Sequence, residues 1–219
     1  MSTWTLVIGN KNYSSWSLRA WLMLRHLELE FSELRLPLDT AEFRARITAL
    51  SPNARVPALI TEELTVWDSL AICEYAADTA GRGWPTTRGA RAVARAVSAE
   101  MHSGFAALRA TWPMNARAVG RRVVPGAAAA ADLSRIDGLW LDCRRRFGAN
   151  GPWLFGEYSV ADAMYAPVAC RIRTYGMSGL SGESARYLAT ALADPWLADW
   201  TAAASAEPEV VPKDEIGTA

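Results

Sequence analysis

Strand-like and helix-like patterns alternate along the first eighty residues. Short β-rich runs predict strands, and apolar residues three and four positions apart predict helices. Strands are expected at Trp4–Ile8, Phe31–Leu36, Ala58–Thr61 and Leu64–Trp67, and helices at Leu18–Glu28, Ala41–Leu50 and Ser69–Asp78. The last two strands flank a charged turn, which is typical of a hairpin. The β-α-β-α-β-β-α order joins a βαβ unit to this hairpin and predicts an α/β domain over residues 1–80.

The remainder of the chain has a helical pattern throughout. Gly, Pro and Thr are concentrated in residues 81–89, which indicates a linker. Five helices are expected over residues 90–205, at Ala90–Arg109, Ala127–Phe147, Val160–Tyr175, Ser184–Ala193 and Trp196–Ala204, and they imply a helical bundle. Ser159 and Asp162 form a Ser-x-x-Asp capping box at the start of the third helix. Residues 206–219 are acidic and contain proline, so we expect them to be poorly ordered.

The charge balance and the cysteine and histidine content indicate which partners and metal sites to expect. The sequence has 23 Lys and Arg residues against 23 Asp and Glu residues, and this neutral balance argues against nucleic acid or an anionic membrane as the main partner. With no apolar run of about 18 residues and no signal peptide, we expect a soluble, cytoplasmic protein. Cys73, Cys143 and Cys170 lack metal-like spacing and are expected to be buried thiols. His26 and His102 are far apart, so no metal site is expected.

The junction between the hairpin and its following helix carries the first candidate chemistry. Asp68 and Ser69 stand where a strand leads into a helix. A helix N-terminus can hold a carboxylate and Asp68 can pair with an ammonium group, so the pair could bind an α-amino acid head group. Val56 and Pro57 would bring a free backbone edge nearby, which a peptide ligand can extend. The alternative is an ordinary hairpin followed by a helix cap.

These residues resemble a known family. V-P-A-L from Val56, followed by D-S-L-A-I from Asp68, is similar to the glutathione-binding half of the glutathione S-transferases. The resemblance implies that Pro57 is cis, that Val56 pairs with the cysteinyl backbone of glutathione, and that Asp68 and Ser69 hold the γ-glutamyl head group. Arg55 would pair with the glycine carboxylate, although a solvated turn residue is the alternative.

The resemblance extends over nearly the whole chain. The S-x-A-D-A sequence from Ser159 marks the core helix of the family's C-terminal domain. It implies the glutathione transferase fold, which is an α/β thioredoxin-like N-terminal domain followed by an all-α helical-bundle C-terminal domain. Family members usually form a homodimer, in which the N-terminal domain of one chain pairs with the helical domain of the other.

The start of the first helix is where the family places the glutathione sulfur beside a Tyr, Ser or Cys. Ser14 and Ser15 resemble the bacterial, serine-type members with a zeta-like motif, so they are the catalytic candidates. An ungapped match to the zeta motif instead puts Asn12 on the catalytic serine, and Tyr13 also remains open. The alternative for Ser14 is a plain helix N-cap.

The implied activity is that of a transferase, associated with detoxification, which uses glutathione as co-substrate and attacks a small electrophile. A glutathione-dependent cis–trans isomerase of the maleylacetoacetate isomerase type and a non-catalytic interaction protein on the same fold are the alternatives. The electrophile pocket is expected between the domains. Aromatic and polar residues of the helical domain could line it or could simply be core: Met101, His102, Phe105, Arg109, Trp112, Met114, Asn115, Tyr165, Arg171 and Tyr175.

Overall fold

A computed structural model describes residues 4–218, and its N-terminal part is a four-stranded sheet with three helices. The elements are β1 (Thr5–Ile8), α1 (Ser15–His26), β2 (Ser32–Arg35), α2 (Ala41–Leu50), β3 (Ala58–Ile60), β4 (Thr65–Val66) and α3 (Ser69–Ala80). The strand order is β2-β1-β3-β4, with β1 parallel to β2 and antiparallel to β3. The βαβ unit and the hairpin predicted from the sequence are confirmed, and the domain is thioredoxin-like.

The rest of the chain is helical, as predicted. Its helices are α4 (Arg88–Ser103), α5 (Ala106–Thr111), α6 (Ala127–Phe147), α7 (Val160–Tyr175), α8 (Gly182–Leu192) and α9 (Pro195–Ala206), with short 3-10 turns at Gly148–Asn150 and Pro212–Asp214. The prediction of one continuous helix over Ala90–Arg109 is wrong. Phe105 has a φ of 61° and interrupts the helical path, while the N–H of Gly104 closes α4 on the carbonyl of Glu100 at 2.8 Å.

The larger of two hydrophobic clusters runs through both domains. Helix α1 packs against α3 in the N-terminal domain and against α7 in the helical domain. Leu18 and Leu22 from α1, with Met164 and Val168 from α7, are almost fully buried in this core. The two domains therefore share the apolar surface that stabilises them.

The capping box at the start of α7 is present. The Asp162 carboxylate accepts hydrogen bonds from the N–H of Leu154 at 3.0 Å and from the N–H and hydroxyl of Ser159 at 2.8 and 2.9 Å. Burial raises the pKa of Asp162 to about 6, although these hydrogen bonds act in the opposite direction. The N–H of Val160 donates to the Gly83 carbonyl at 3.0 Å, so the linker is tied to this helix start.

The C-terminal segment contacts the loop between β1 and α1. Glu207 accepts the N–H groups of Lys11 and Asn12 at 2.8 and 3.2 Å. Glu215 accepts the hydroxyl of Tyr13 at 2.6 Å. The expectation of poor order for residues 206–219 rests on their acidic, proline-containing composition, and composition alone does not indicate these contacts.

The cysteines, the acidic and histidine side chains and the helix lengths bear on redox, metal-binding and membrane functions. Cys73, Cys143 and Cys170 are buried free thiols, and burial raises the pKa of both Cys73 and Cys143 to about 12. Between residues 4 and 218, no group of three or more His, Cys, Asp or Glu side chains is placed to hold a metal ion. Within the same range, no helix combines the length and the apolar character needed to cross a membrane.

Candidate functional site

A cavity of about 200 Å³ lies where β3, the start of α3 and the helical domain meet. The residues predicted to bind glutathione all line this cavity: Arg55, Val56, Pro57, Asp68 and Ser69. Trp16, Asn53 and His102 complete its wall. The peptide bond between Val56 and Pro57 is cis, as the sequence resemblance implied. The two halves of the sequence motif, about a dozen residues apart, are therefore brought together at one cavity.

Asp68 is the N-cap of α3. One oxygen of its carboxylate, Oδ1, accepts the N–H groups of Leu70 at 3.0 Å and Ala71 at 3.5 Å. The second oxygen, Oδ2, lies 3.0 Å from Nε2 of His102. Asp68 thus has both the capping role and a place in the cavity wall, so the two sequence interpretations are compatible.

Ser69 supplies a hydroxyl that the protein itself does not use. Its side chain is completely buried, and Oγ has no hydrogen-bond partner within residues 4–218. A buried hydroxyl without a partner costs free energy, about 1–3 kcal/mol by comparison with mutational data. At a helix N-terminus this hydroxyl and the neighbouring amides are suited to accept a carboxylate from a ligand.

His102 brings the helical domain into the site. It lies in the last turn of α4, and its ring meets the Trp16 indole edge-on with centroids 5.3 Å apart. Its Nδ1 is buried and has no partner among the described residues. The sequence named His102 only as one member of a broad stripe, because the contact with Asp68 depends on how the two domains pack.

Trp16 was missed by the sequence reasoning. It follows the Ser14–Ser15 pair directly, and its indole forms part of the cavity wall while Asn53 lies on the opposite segment before β3. Asn53 shapes that segment, since its Oδ1 accepts the Arg55 N–H at 3.1 Å. Adjacency to the serine pair at a helix start was the available sequence signal for Trp16.

The four residues considered as thiol contacts do not line the cavity. Ser14 is the N-cap of α1, and its hydroxyl bonds the Ser17 hydroxyl at 2.7 Å. Ser15 is the first residue of the helix and makes no side-chain hydrogen bond to the described residues. Asn12 accepts the N–H of Arg117 at 2.8 Å, and Tyr13 is bonded to Glu215, so both face other partners.

Most of the candidate electrophile-pocket residues are core residues. Met101, Phe105, Trp112 and Tyr165 are each at most 7% exposed. Trp112 and Tyr175 do line a larger cavity of about 610 Å³, but that cavity lies within the helical domain and includes none of the predicted glutathione-binding residues.

The arrangement suits a ligand that carries an ammonium group next to a carboxylate. Asp68 provides the negative charge, while the Ser69 hydroxyl provides a hydrogen-bond donor and the start of α3 provides the positive end of the helix dipole. Arg55 is exposed at the rim, where its guanidinium can reach a second carboxylate.

Comparison with known proteins agrees with this geometry. Residues 13–79 match the family model described as glutathione S-transferase, N-terminal domain. No curated protein matches the sequence. The match covers the start of α1 and every predicted glutathione-binding residue, but not the helical domain.

Solved structures extend the similarity to the whole chain. A glutathione transferase homolog from Burkholderia gl BGR1, with bound glutathione, is 22% identical, with 93% of this chain and 99% of that chain covered and a TM-score of 0.68. The theta class glutathione S-transferase from Xanthomonas axonopodis pv. citri, with glutathione bound, is 20% identical over 92% and 98% of the two chains, with a TM-score of 0.65. The tau class enzyme from mango, Mangifera indica, is 16% identical over 93% and 96%, with a TM-score of 0.69. Residues 13–79 are therefore similar to the glutathione S-transferase N-terminal domain, and the chain as a whole has the glutathione transferase fold.

Proposed function

We propose that the protein is a glutathione S-transferase that binds glutathione as co-substrate, lowers the pKa of its thiol and directs the thiolate at a small electrophile. The observation that carries the proposal is the convergence of Arg55, Val56–Pro57 and Asp68–Ser69 on one cavity beside the start of α1. Two of the similar structures were solved with glutathione bound, which supports the same ligand here.

Each part of glutathione has a chemical counterpart in this cavity. Asp68 holds the γ-glutamyl ammonium through Oδ2, where His102 now lies 3.0 Å away, and the buried Ser69 hydroxyl gains a partner from the adjacent carboxylate. Val56 offers its backbone to the cysteinyl residue. Arg55 is exposed and its guanidinium has no partner among the described residues, so it is available to the glycine carboxylate.

Thiolate activation needs only modest help from the protein. A thiol with a reference pKa of about 8.5 is mostly protonated at neutral pH, and lowering the pKa by two units requires about 2.7 kcal/mol. One hydrogen bond to a charged acceptor provides about 1.5–3 kcal/mol. The N-terminus of α1 adds about 0.3–1 kcal/mol through its dipole. One hydroxyl at this helix start is therefore sufficient.

Ser15 is the better placed of the two serine candidates. The Ser14 hydroxyl is engaged with Ser17 inside the cap, whereas Ser15 has no side-chain hydrogen bond to the described residues and directly precedes Trp16 in the cavity wall. We propose that the Ser15 hydroxyl donates to the thiolate while Ser14 stabilises the helix start.

The direct test is conjugation of 1-chloro-2,4-dinitrobenzene. The thiolate sulfur forms a C–S bond with the ring carbon, the C–Cl bond breaks, and chloride leaves with the electron pair. We expect the protein to form the conjugate faster than glutathione alone, with one glutathione consumed per product. Turnover of a cis-olefin substrate without glutathione consumption would favour the isomerase, and binding of glutathione without any turnover would favour an interaction protein.

Replacing Asp68 tests how the head group is held. Asp68→Asn keeps an acceptor oxygen for the α3 amides but removes the charge, so glutathione affinity should fall about 10- to 100-fold, the equivalent of about 1.5–3 kcal/mol. Titration calorimetry measures the affinity, and urea unfolding should show little change in stability. Asp142→Asn, which alters an exposed i,i+4 pair with Arg146, is the matched control. Wild-type affinity in Asp68→Asn would contradict this assignment.

Replacing each serine separates the thiolate donor from the cap. Ser15→Ala should raise the pKa of the bound thiol by about one unit or more, because one charged hydrogen bond is lost. Ser14→Ala should leave that pKa in place and lower the free energy of unfolding by about 1 kcal/mol, as expected for an N-cap. Ultraviolet titration of the bound thiolate and urea unfolding measure the two effects. A thiol pKa that moves only in Ser14→Ala would reverse the assignment.

We also propose that the chain forms a homodimer, as the family resemblance implies. Leu64 and Trp67, beside the β3–β4 hairpin, are each 44% exposed, which leaves apolar surface for a partner. Light scattering at micromolar concentration should give twice the chain mass of 23.9 kDa. Leu64→Glu should shift the protein toward monomer, whereas Val119→Glu, at an exposed site on the helical domain, should not. A wild-type particle of one chain mass would rule the dimer out.

A further inference from the structure

An arginine without a counter-ion lies in the core between the two domains. Arg19, on α1, is completely buried, and none of its three guanidinium nitrogens has a hydrogen-bond partner within residues 4–218. Burying an unpaired cation costs several kcal/mol, and buried charges in proteins are normally paired. An apolar residue at position 19 would pack in this core without the free-energy cost of a buried charge. A ligand that pairs with the cation would offset the cost.

The Trp16 indole connects this arginine with the cavity. The guanidinium carbon of Arg19 lies 4.4 Å from the centroid of the Trp16 ring, and Trp16 itself lines the cavity. A second guanidinium, from Arg109 of α5, lies 4.9 Å from the same ring. The Trp16 side chain therefore separates the guanidinium groups of Arg19 and Arg109 from the cavity proposed for glutathione.

Arg109 is partly exposed and only partly satisfied. Its Nε donates to the Gly104 carbonyl at 3.1 Å and its Nη2 donates to the Met101 carbonyl, but its Nη1 is buried without a partner in the described range. Arg109 therefore has a buried Nη1 whose N–H groups bond no described residue, although the residue as a whole is partly exposed.

Among the described residues, no carboxylate pairs directly with these two cations. Arg171 adds a third positive charge, and it uses its own donors on the carbonyls of Trp112 at 2.7 Å and Pro167 at 3.2 Å. Asp132 acts on Arg109 electrostatically, but its carboxylate accepts the Leu108 N–H at 2.9 Å.

Asp68 is also occupied. It is the acidic group that acts on Arg19, but its oxygens are taken by the α3 amides and by His102. Neither Asp68 nor Asp132 makes an ion pair or hydrogen bond with Arg19 or Arg109, so the two guanidinium groups have no directly bound anion among the described residues.

We propose that Arg19 and Arg109 bind the carboxylate of the electrophilic substrate, so that this protein conjugates glutathione preferentially to electrophiles that carry a carboxylate. The inference rests on the proposed transferase function. The carboxylates of glutathione are already assigned to Arg55 and to the start of α3, which leaves these two guanidinium groups for the second substrate. Guanidinium groups suit a carboxylate because they can donate two parallel hydrogen bonds.

Access to Arg19 requires the Trp16 side chain to turn. Side-chain rotamer changes of this kind are common on binding, even where the backbone is fixed. Arg109, which is partly exposed, meets the carboxylate first, and the displaced indole uncovers Arg19.

The test uses two electrophiles that differ only in charge, 4-chloro-3,5-dinitrobenzoate and 4-chloro-3,5-dinitrobenzamide. Both react with glutathione by formation of a C–S bond at ring carbon 4 and loss of chloride, and the thiol proton passes to the buffer. Dividing each kcat/KM by the rate constant of the uncatalysed reaction removes the difference in intrinsic reactivity. For the wild-type protein this ratio should favour the acid over the amide by about tenfold or more, the effect of about one charge-assisted hydrogen bond.

Variants identify the groups responsible. Arg109→Met and Arg19→Met should each reduce the preference for the acid over the amide at least tenfold. Arg145→Met, which removes an exposed arginine of α6, is the matched control and should change neither rate. Arg19→Met should also raise the melting temperature of the ligand-free protein, because methionine fills the space without an unpaired charge. If Arg19→Met fails to fold, the acid preference of Arg109→Met alone tests the proposal.

A binding measurement distinguishes failure of this inference from failure of the proposed function. Calorimetry with the two preformed glutathione conjugates should show tighter binding of the acid conjugate, and Arg109→Met should abolish the difference. Equal binding of both conjugates, with conjugation of both electrophiles, would overturn the carboxylate preference while the transferase function stands. Tighter binding of the acid conjugate without any turnover would retain the anion site and overturn the transferase. A thiolate pKa that rises in Arg109→Met without loss of the acid preference would show that the arginines serve glutathione, and would also overturn the proposal.

Discussion

The packing of α1 between α3 and α7 is the contact on which the rest of the structure depends. All residues from Leu18 to Leu24 are buried, since one side of the helix faces the N-terminal domain and the other faces the helical domain. At its C-terminal end, His26 lies 2.9 Å from Asp194, the N-cap of α9. Because α1 has no free face over these residues, its N-terminal end is fixed relative to α3 and to α7. The geometry of the cavity is therefore set by packing between the domains.

The same constraint decides which side chains can act at the start of α1. The preceding loop is held by Glu207 and Glu215 from the C-terminal segment, the Asn12 side chain is bonded to the Arg117 N–H, and the Tyr13 hydroxyl is bonded to Glu215. Ser14 is used to cap the helix. Of the first turn of the helix, Trp16 lines the cavity and Ser15 directly precedes it with a hydroxyl that bonds no described residue.

The sequence predicted what local chemistry controls. Strand and helix periods, the hairpin and the Ser159–Asp162 capping box depend on neighbouring residues, and the Val56-to-Ser69 motif places its residues by short-range geometry. The break at Phe105 was not predicted, because the helical pattern continues through it. The contact of His102 with Asp68 joins residues from different domains, and no local pattern specifies it. The burial of Arg19 could not be predicted either, because it depends on packing between the domains and an arginine in a helix is ordinarily solvated.

Similarity of fold at 16–22% identity does not carry a substrate, because many reactions are built on one fold. Substrate class has to follow from the side chains that this chain places around its cavity. Ser69 and Arg19 both bury polar groups without partners, and both adjoin the cavity, Ser69 directly and Arg19 through Trp16. Each of these buried polar groups lowers the free energy of unfolding relative to a more apolar residue. A bound ligand that pairs with the group would offset this loss. The hydroxyl suits the carboxylate of an amino acid head group, whereas the guanidinium, which is larger and fully charged, suits a separate anion. The two orphaned groups therefore support the proposal of two ligands, one held at Ser69 and one reached through Trp16.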